Sequence, residues 1–278
     1  MKVHELKYSN TNTYLIEGSK GRLLFDTGWA GTFAAFCRAM GSLNIAVQSI
    51  DYLLISHFHP DHCGIAQQIA DLGATIVVMD VQKDYVHFAD AIFAKERNRE
   101  FKPVDDAKIR HVNISDSRAF LKELGIDGEI LHTPGHSDDS ISLYLDNGSL
   151  FVGDLNPLYE LEMHKGTLIE ESWNKLLALK PATIYYGHAK TYVSDNTPDT
   201  AKNSTSAGKG SVSRIDGSEL SDLVSKIMKY IDKGLSLDKI QKKTGADCVF
   251  IEDVARMYLT HPGVSVQGIL DRIEIKNR

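Results

Sequence analysis

Residues 56–64 read SHFHPDHCG and place three imidazoles and a carboxylate within six positions, at His57, His59, Asp61 and His62. Imidazole nitrogens and carboxylate oxygens are ligands of zinc and of neighbouring first-row metals. An apolar run at 52–55 comes directly before the cluster, as expected for a buried strand. A single histidine is more often a surface or core residue than a ligand, but a group as dense as this one predicts a metal site.

Pro60 distinguishes this cluster from the helical zinc motif in which two histidines stand four residues apart on one face. A proline fixes its own backbone and disfavours helical geometry in the residue before it. We therefore predict that the metal-binding stretch is a loop at a strand end, and that a helix begins beyond it, near Gly64. The buried stripe of that helix is predicted to consist of Ile65, Ala66, Ile69 and Leu72.

Five segments in a fixed order resemble the motifs of the metallo-β-lactamase superfamily, over about residues 2–190. HFHPDH at 57–62 is similar to the HxHxDH signature, and LLFDTG at 23–28 resembles the first motif, an apolar strand that ends in an aspartate. The later motifs have their counterparts in HTPGH at 132–136, FVGD at 151–154 and YGH at 186–188. Each segment alone is only moderately specific, but five in the family order indicate the family.

The resemblance implies a site for two divalent metal ions, which we expect to be zinc, with iron and manganese as alternatives. The implied ligands are divided between the ions: His57, His59 and His136 for the first, Asp61, His62 and His188 for the second, and Asp154 bridging the pair.

Asp26 is predicted to support the metal loop, because a metal-binding histidine needs a hydrogen-bond acceptor for its second nitrogen. A turn or a helix cap is the alternative role for this residue. Apolar runs of strand type come before the candidate ligands, at 53–55, 130–131, 150–152 and 184–186. The ligands are therefore predicted to lie at strand ends.

The remaining histidines lack companions of ligand type. His132 could be a ligand by chemistry, but in an alternating strand it can equally face the core, and the resemblance favours His136 after the Thr-Pro-Gly turn. We predict structural or exposed roles for His4, His87, His111, His164 and His261. His87 and His164 are the two that we consider for a pocket wall.

The predicted fold is α/β, and the resemblance implies a four-layer αββα sandwich of two packed sheets between outer helices. Strands are predicted at 2–8, 12–17, 21–26 and 75–79, and helices at 30–41 and 64–72. Tyr85, Phe88, Ile92 and Phe93 recur at helical spacing within 81–100. This segment is predicted to be an amphipathic outer helix, which its periodicity favours, or a substrate-facing lid.

We expect three parts in the chain: a hydrolase domain at 1–193, which the resemblance implies, a polar loop or linker at 194–217 and a small helical domain at 218–278. Apolar residues recur at helical spacing in the last part, at Leu220, Leu223, Val224, Ile227 and Ile231. Ser236 is expected to cap a short helix that runs to Lys243, and further helices are predicted at 250–259 and 264–273.

The charge of this helical tail argues against nucleic-acid binding. Residues 218–278 contain ten Lys and Arg against nine Asp and Glu, a net charge of +1, while the rest of the chain carries −7. A nucleic-acid-binding surface usually depends on a strong basic stripe. We expect the tail to serve in packing, in homodimer formation or in completing the pocket.

Composition also limits the class of protein. With 42% apolar residues among 278, the chain can bury a full core. The amino terminus lacks the apolar segment of a signal peptide and no run is typical of a membrane span, so we expect a cytoplasmic location. Three scattered cysteines, Cys37, Cys63 and Cys248, do not form the pattern of a disulfide framework.

The implied chemistry is hydrolysis, because two divalent ions lower the pKa of a bridging water to about neutral and supply hydroxide. We expect a small-molecule substrate: a thioester, a lactone or a related ester. Asp61 is the candidate catalytic residue that orients the water and transfers protons. The alternatives are a phosphodiesterase, or a metal-binding regulatory or sensor protein whose tail binds DNA or another partner.

Departures from known subgroups narrow the substrate further. Asp154 stands where the commonest true β-lactamases carry cysteine, and His59 stands where flavodiiron relatives carry glutamate. The chain most resembles the broad group of glyoxalase II thioesterases and acyl-homoserine lactonases, although Pro157 replaces a tyrosine expected in a lactonase. Tyr159 and Lys190 are weaker pocket candidates.

Overall fold

The structure is a computed structural model that describes residues 1–194, 217–235, 237–260 and 264–277. The chain divides into two compact units: Met1–Ala94 with Arg99–Tyr192, and Lys95–Asn98 with Val193–Arg278. The predicted boundaries at residues 193 and 217 remain proposals. Most of the predicted linker, at 195–216, lies outside the described residues.

Two sheets form the first unit. The strands of the six-stranded sheet are, in spatial order, β1 (Lys2–Leu6), β2 (Thr13–Glu17), β3 (Arg22–Phe25), β4 (Tyr52–Leu54), β5 (Thr75–Met79) and β6 (Ile109–Val112). The strands of the five-stranded sheet are, in spatial order, β11 (Tyr192–Val193), β10 (Thr183–Tyr185), β9 (Ser149–Phe151), β8 (Ile141–Leu145) and β7 (Gly128–His132).

The directions of the strands place the loops that follow their carboxyl ends at one edge of each sheet. Strands β3 to β6 are mutually parallel, so the loops that follow β3 and β4 leave from the same edge. In the second sheet, β8 is antiparallel to both β7 and β9, and β10 is parallel to β9. The carboxyl ends of β7, β9 and β10 therefore also share an edge, which is where ligand sites of such sheets collect.

Aromatic side chains from both sheets fill the space between them. The ring of Phe151 lies 5.2 Å from that of Tyr14, 5.7 Å from that of Phe25 and 4.6 Å from that of Tyr185, between centroids. Buried aliphatic residues of both sheets join the same core, among them Ile16, Leu54, Val77, Ile130 and Leu143. Burial of this apolar surface is the main force that holds the two sheets together.

Helices cover the outer faces of the sandwich. The helices of the first unit are α1 (Phe33–Ser42), α2 (Pro60–Cys63), α3 (Ala66–Ala70), α4 (Phe88–Glu96), α5 (Ser117–Glu123) and α6 (Leu168–Leu177). Helices α1 and α3 lie against the first sheet, and Trp173 and Leu176 of α6 pack on Leu150 and Ile184 of the second. The predicted α/β sandwich of four layers is confirmed.

The prediction that residues around Pro60 form only a loop was wrong in part, since residues 60–63 form the single turn of α2. A proline is well tolerated at the first position of a helix, where its N–H would have no partner and its fixed backbone angle is already helical. His59 before it is extended, with φ −74° and ψ 152°. His57 and His59 thus precede the helix, whereas Asp61 and His62 stand on it.

The described residues of the second unit form four further helices. They are α7 (Gly217–Asp232), α8 (Leu237–Thr244), α9 (Cys248–Thr260) and α10 (Val266–Asn277). Their buried residues include Val224, Ile227, Ile240, Ile251, Val254 and Ile269. Ser236 and His261, discussed above as a helix cap and an isolated histidine, lie outside the described residues.

A membrane crossing would require a longer apolar helix than any found in the described part of the chain.

Replacing Phe151 should test the core between the sheets. Phe151→Ala is expected to lower the free energy of unfolding of the metal-free protein by about 3–5 kcal/mol, because it leaves a cavity among packed rings. Urea-induced unfolding followed by circular dichroism measures this change. Leu177→Ala is the control, because this side chain is 38% exposed, and it should cost less than about 1 kcal/mol. Equal losses in the two variants would contradict the assignment of the core.

Candidate metal centre

The structure brings all seven predicted ligand residues together, in two groups. The groups are His57, His59 and His136, and Asp61, His62, Asp154 and His188. Within each group, every residue offers one ligand atom, and these atoms lie within 4.8 Å of one another. The residues come from five places in the chain: the loop after β4, helix α2, and the loops after β7, β9 and β10.

The first group consists of three converging imidazoles. Nδ1 of His59 lies 3.0 Å from Nε2 of His57 and 3.1 Å from Nε2 of His136. Burial, and then the neighbouring imidazoles, lower the pKa of His57 well below its ordinary value and the pKa of His59 to about 4. Both rings are therefore neutral near pH 7, which is the state that binds a metal.

The second group combines two imidazoles with two carboxylates. Nε2 of His188 lies 3.0 Å from Oδ2 of Asp61 and 3.1 Å from Oδ1 of Asp154. Nε2 of His62 lies 3.2 Å from the same Asp154 oxygen and 3.3 Å from Nε2 of His188. Four donor atoms of the types that zinc, iron and manganese accept thus face one point.

Asp154 lies between the two groups. Its Oδ1 faces His62 and His188, while its Oδ2 lies 3.6 Å from Nε2 of His136. One carboxylate therefore presents an oxygen to each group, which is the arrangement of a bridging ligand.

Charge balance shows that the site fits cations. Burial lowers the pKa of His62, but the carboxylates of Asp154, Asp26 and Asp61 outweigh it and raise this pKa well above the ordinary value. Positive charge among these buried carboxylates is therefore stabilising. Divalent cations would supply the same positive charge while leaving the imidazole neutral, so the residues present fit such ions.

Asp26 performs the supporting role predicted for it. It adopts a left-handed backbone conformation, with φ 62°, which aspartate tolerates better than most residues. Its Oδ1 accepts a hydrogen bond from the backbone N–H of Ser56 at 2.6 Å, and its Oδ2 accepts one from Nδ1 of His62 at 2.9 Å. Asp26 thus fixes the metal loop and turns Nε2 of His62 towards the second group.

Three other residues orient the site, and the sequence analysis missed them. The Ser56 hydroxyl hydrogen-bonds Nδ1 of His57 at 3.0 Å, and Nδ1 of His188 donates to the backbone carbonyl of Asn10 at 2.9 Å. Asp139 accepts a hydrogen bond from the backbone N–H of Phe58 at 2.8 Å. The sequence offered a signal for Asp139, because it is an acidic residue three positions after the candidate ligand His136. It offered no signal for Asn10, because this residue acts through its backbone carbonyl and any residue type would provide that group.

Two glycines permit the close approach of the ligand loops. Gly153 has φ +55°, and a Cβ at this position would lie 2.4 Å from Oγ of Ser56. A Cβ on Gly187 would lie 2.7 Å from Oδ1 of Asp154. The motifs that contain these glycines are therefore needed for packing as well as for ligands.

The other candidate residues lie apart from both groups. His132 donates from Nε2 to the carbonyl of Asp138 at 2.8 Å, and His87 pairs with Asp90 and Asp106 at the surface. Tyr159 is 69% exposed. The structure thus agrees with the preference for His136 over His132.

A cleft of about 300 Å³ opens beside the first group. Its lining residues are Phe58, His59, Tyr85, Phe88, Gly135, His136, Ser137, Asp138 and Asp139. Within the segment at 81–100 the structure forms a short 3-10 helix, Asp80–Tyr85, and helix α4, so the single helix predicted there is interrupted. Tyr85 and Phe88 of this segment line the cleft.

Comparison with known proteins identifies the family. The family model of the metallo-beta-lactamase superfamily matches residues 7–188. The chain belongs to this superfamily. The resemblance carried by five short segments is confirmed, and the interpretation as a hydrolase agrees with it at the level of the family.

Curated relatives of this superfamily member share less than a third of the aligned residues. A beta-lactamase-like protein 2 homolog of Drosophila melanogaster is 29% identical over 185 residues, which cover 64% of this chain and 58% of the relative. An atrochrysone carboxyl ACP thioesterase of Claviceps purpurea is 30% identical over 153 residues, which cover 53% of this chain and 40% of the relative. The chain spans about half the length of the curated relatives it matches.

Solved structures share the fold. Metallo-beta-lactamase family protein TTHA1429 from Thermus thermophilus matches with a TM-score of 0.52 at 22% identity, covering 69% of this chain and 73% of that one. Protein TTHA1623 in a di-iron-bound form matches with a TM-score of 0.53 at 21% identity, covering 69% of this chain and 94% of that one.

Replacing Asp26 should test the support of the metal loop. Asp26→Asn is expected to weaken metal affinity about 10- to 100-fold, because the amide cannot replace both carboxylate acceptors. Competition with a chromophoric chelator measures this affinity. The control is Asp127→Asn, which alters an exposed aspartate paired with Lys122 and should leave the affinity unchanged. Wild-type affinity in Asp26→Asn would refute the proposed support.

Proposed function

We propose that the chain is a dinuclear metal-dependent hydrolase that acts on a small thioester, lactone or related ester. The observation that carries this proposal is the pair of ligand groups joined through the carboxylate of Asp154. A site for one structural ion would be complete with four ligands and would not need a shared carboxylate.

The proposed ligands follow the two groups. The first ion would be held by His57, His59 and His136, the second by Asp61, His62 and His188, and Asp154 would bridge them. We propose zinc, with iron and manganese as alternatives, since histidine and carboxylate donors suit all three metals. One solved neighbour is di-iron-bound, so iron belongs among the metals to be tested.

When bound, two divalent ions would lower the pKa of a water molecule between them to about neutral and polarise the bond to be cleaved. The residues of the chain prepare this chemistry. Asp61 is fully buried and its Oδ2 lies among the ligand atoms of the second group. We propose that this carboxylate orients the attacking water and transfers its proton to the leaving group.

Hydrogen bonds hold the ligand rings in place before any substrate arrives. Ser56, Asp26 and Asn10 each bind the Nδ1 atom of one ligand imidazole and leave its Nε2 directed at the centre. Such preorganisation lowers the cost of reaching the transition state, because the ligands do not reorient during the reaction. The names of the relatives, which include an ACP thioesterase, support a thioester or ester as the scissile group.

Metal content should distinguish the two groups. The protein loaded with zinc is expected to carry two ions per chain, and His136→Ala and His188→Ala should each lose about one, because each removes a ligand of one group. Plasma mass spectrometry after desalting measures the stoichiometry. His132→Ala, which alters a histidine outside both groups, should retain two ions. One ion per chain in the wild-type protein would contradict the dinuclear assignment.

Turnover should depend on Asp61. Among thioester, lactone, phosphodiester and β-lactam substrates, the metal-loaded protein is expected to hydrolyse thioesters or esters. Asp61→Asn should lower kcat by about 10²- to 10⁴-fold, since an amide accepts no proton. The assay is run at saturating metal, and the exposed Asp146→Asn serves as control. If the wild-type protein loaded with zinc, iron or manganese cleaved no substrate of this panel, the enzyme proposal would fail.

A further inference from the structure

The cleft beside His59 and His136 has two walls of different chemistry. One wall is aromatic and is formed by Phe58, Tyr85 and Phe88. The other is the loop at 135–139, which carries His136 and continues from the end of β7. A group bound here would therefore lie against aromatic rings while its reacting end reached the first ligand group.

Apart from the ligand histidines His59 and His136 and the ion that they would hold, the lining of the cleft offers no cationic side chain to an anionic substrate. None of the described residues that line it is a lysine or an arginine, and two of them are aspartates. Asp139 is buried and uses its carboxylate to accept hydrogen bonds from the Phe58 N–H and the Ser137 hydroxyl, at 2.8 and 2.7 Å. Asp138 is exposed and lies near the hydroxyl of Tyr85. A phosphate or carboxylate on the part of a substrate that lies against these aspartates, away from the ligand histidines, would meet like charge.

Phe88 lies at the edge of this cleft, on a helix that packs through another aromatic residue. Helix α4 is fixed by Phe93, whose buried ring lies 5.4 Å from that of Trp29 and 4.2 Å from that of Phe101, between centroids. Phe88, the first residue of the same helix, remains 48% exposed and lies 5.5 Å from the ring of His59. Covering an exposed aromatic ring with an apolar group is favourable, because water is released from both surfaces.

We propose that this cleft binds the uncharged aryl group of an acyl substrate, and that Phe88 determines the preference for it. The inference rests on the proposed hydrolase function and assigns the substrate class within it. The volume of about 300 Å³ is at the lower end for ligand pockets, so a small acyl group fits better than a long chain.

A pair of substrates tests the proposal by kinetics. Acetyl and phenylacetyl thioesters of one uncharged thiol are compared by kcat/KM on metal-loaded protein, and the wild type should prefer the phenylacetyl group. Phe88→Ala should reduce this preference about 10-fold, and Phe88→Leu should retain most of it. Because both substrates use the same metal centre, a change in metal content cancels in the ratio.

Leu168→Ala is the matched control for Phe88→Ala. Leu168 is also an apolar first residue of a helix and is also 48% exposed, but it does not line the cleft. This variant should leave the ratio unchanged. An unchanged ratio in Phe88→Ala would overturn the proposal. A wild-type preference for a phenylacetyl group with a para-carboxylate over the neutral one would overturn it as well.

A binding measurement separates this inference from the proposed function. Saturation transfer from zinc-loaded protein to the ring protons of acetophenone, an uncharged aryl probe, reports on the cleft without turnover. The signal should be present in the wild type and in Leu168→Ala, and at least several-fold weaker in Phe88→Ala. If the wild type hydrolyses no substrate, the proposed function fails, and loss of this signal in Phe88→Ala still supports the cleft assignment. A signal that is absent from the wild type, or unchanged in Phe88→Ala, overturns it.

Discussion

Three carboxylates lie close to one buried imidazole in the candidate metal centre, and the surrounding structure is arranged around that concentration of charge. Asp26, Asp61 and Asp154 all lie close to His62, and none of the four side chains has more than slight access to solvent. Removing charges from water costs several kcal/mol per ion unless partners replace the hydration. Imidazoles and backbone N–H groups supply part of that replacement, and the ligand geometry suits divalent cations for the remainder.

The direction of the strands makes this concentration possible. Asp26 follows β3 and the loop with His57 follows β4, while His136, Asp154 and His188 follow β7, β9 and β10. Because strands of equal direction end at one edge of each sheet, two sheets packed face to face deliver all of these side chains to one place. The aromatic core around Phe151 fixes the separation of the sheets, and so it also fixes the separation of the ligands.

The cleft opens beside the first ligand group, and its position gives the proposed reaction a direction. Asp61 and His62 of the second group are fully buried, whereas His59 and His136 of the first group line the cleft. A substrate would therefore approach from the first group and from the aromatic wall near Phe88. Asp61, which we propose to transfer the proton, lies on the buried side, where bulk water does not compete for that proton.

The amino-acid sequence by itself determined the kinds of ligand, their position at strand ends and the α/β class, because metal-binding residue types, apolar runs and motif spacing are local properties. The prediction from sequence was wrong in part at Pro60. Proline disfavours helical geometry in the residue before it, but it is well tolerated at the first position of a helix. Only the tertiary structure decided how the parts combine. His59 and His136 are 77 positions apart and Asn10 and His188 are 178 apart, yet each pair is in hydrogen-bonding distance. The shared position of Asp154, the main-chain support from Asn10 and the aromatic wall of the cleft all depend on such distant contacts, which arise when two sheets pack and which no local pattern contains.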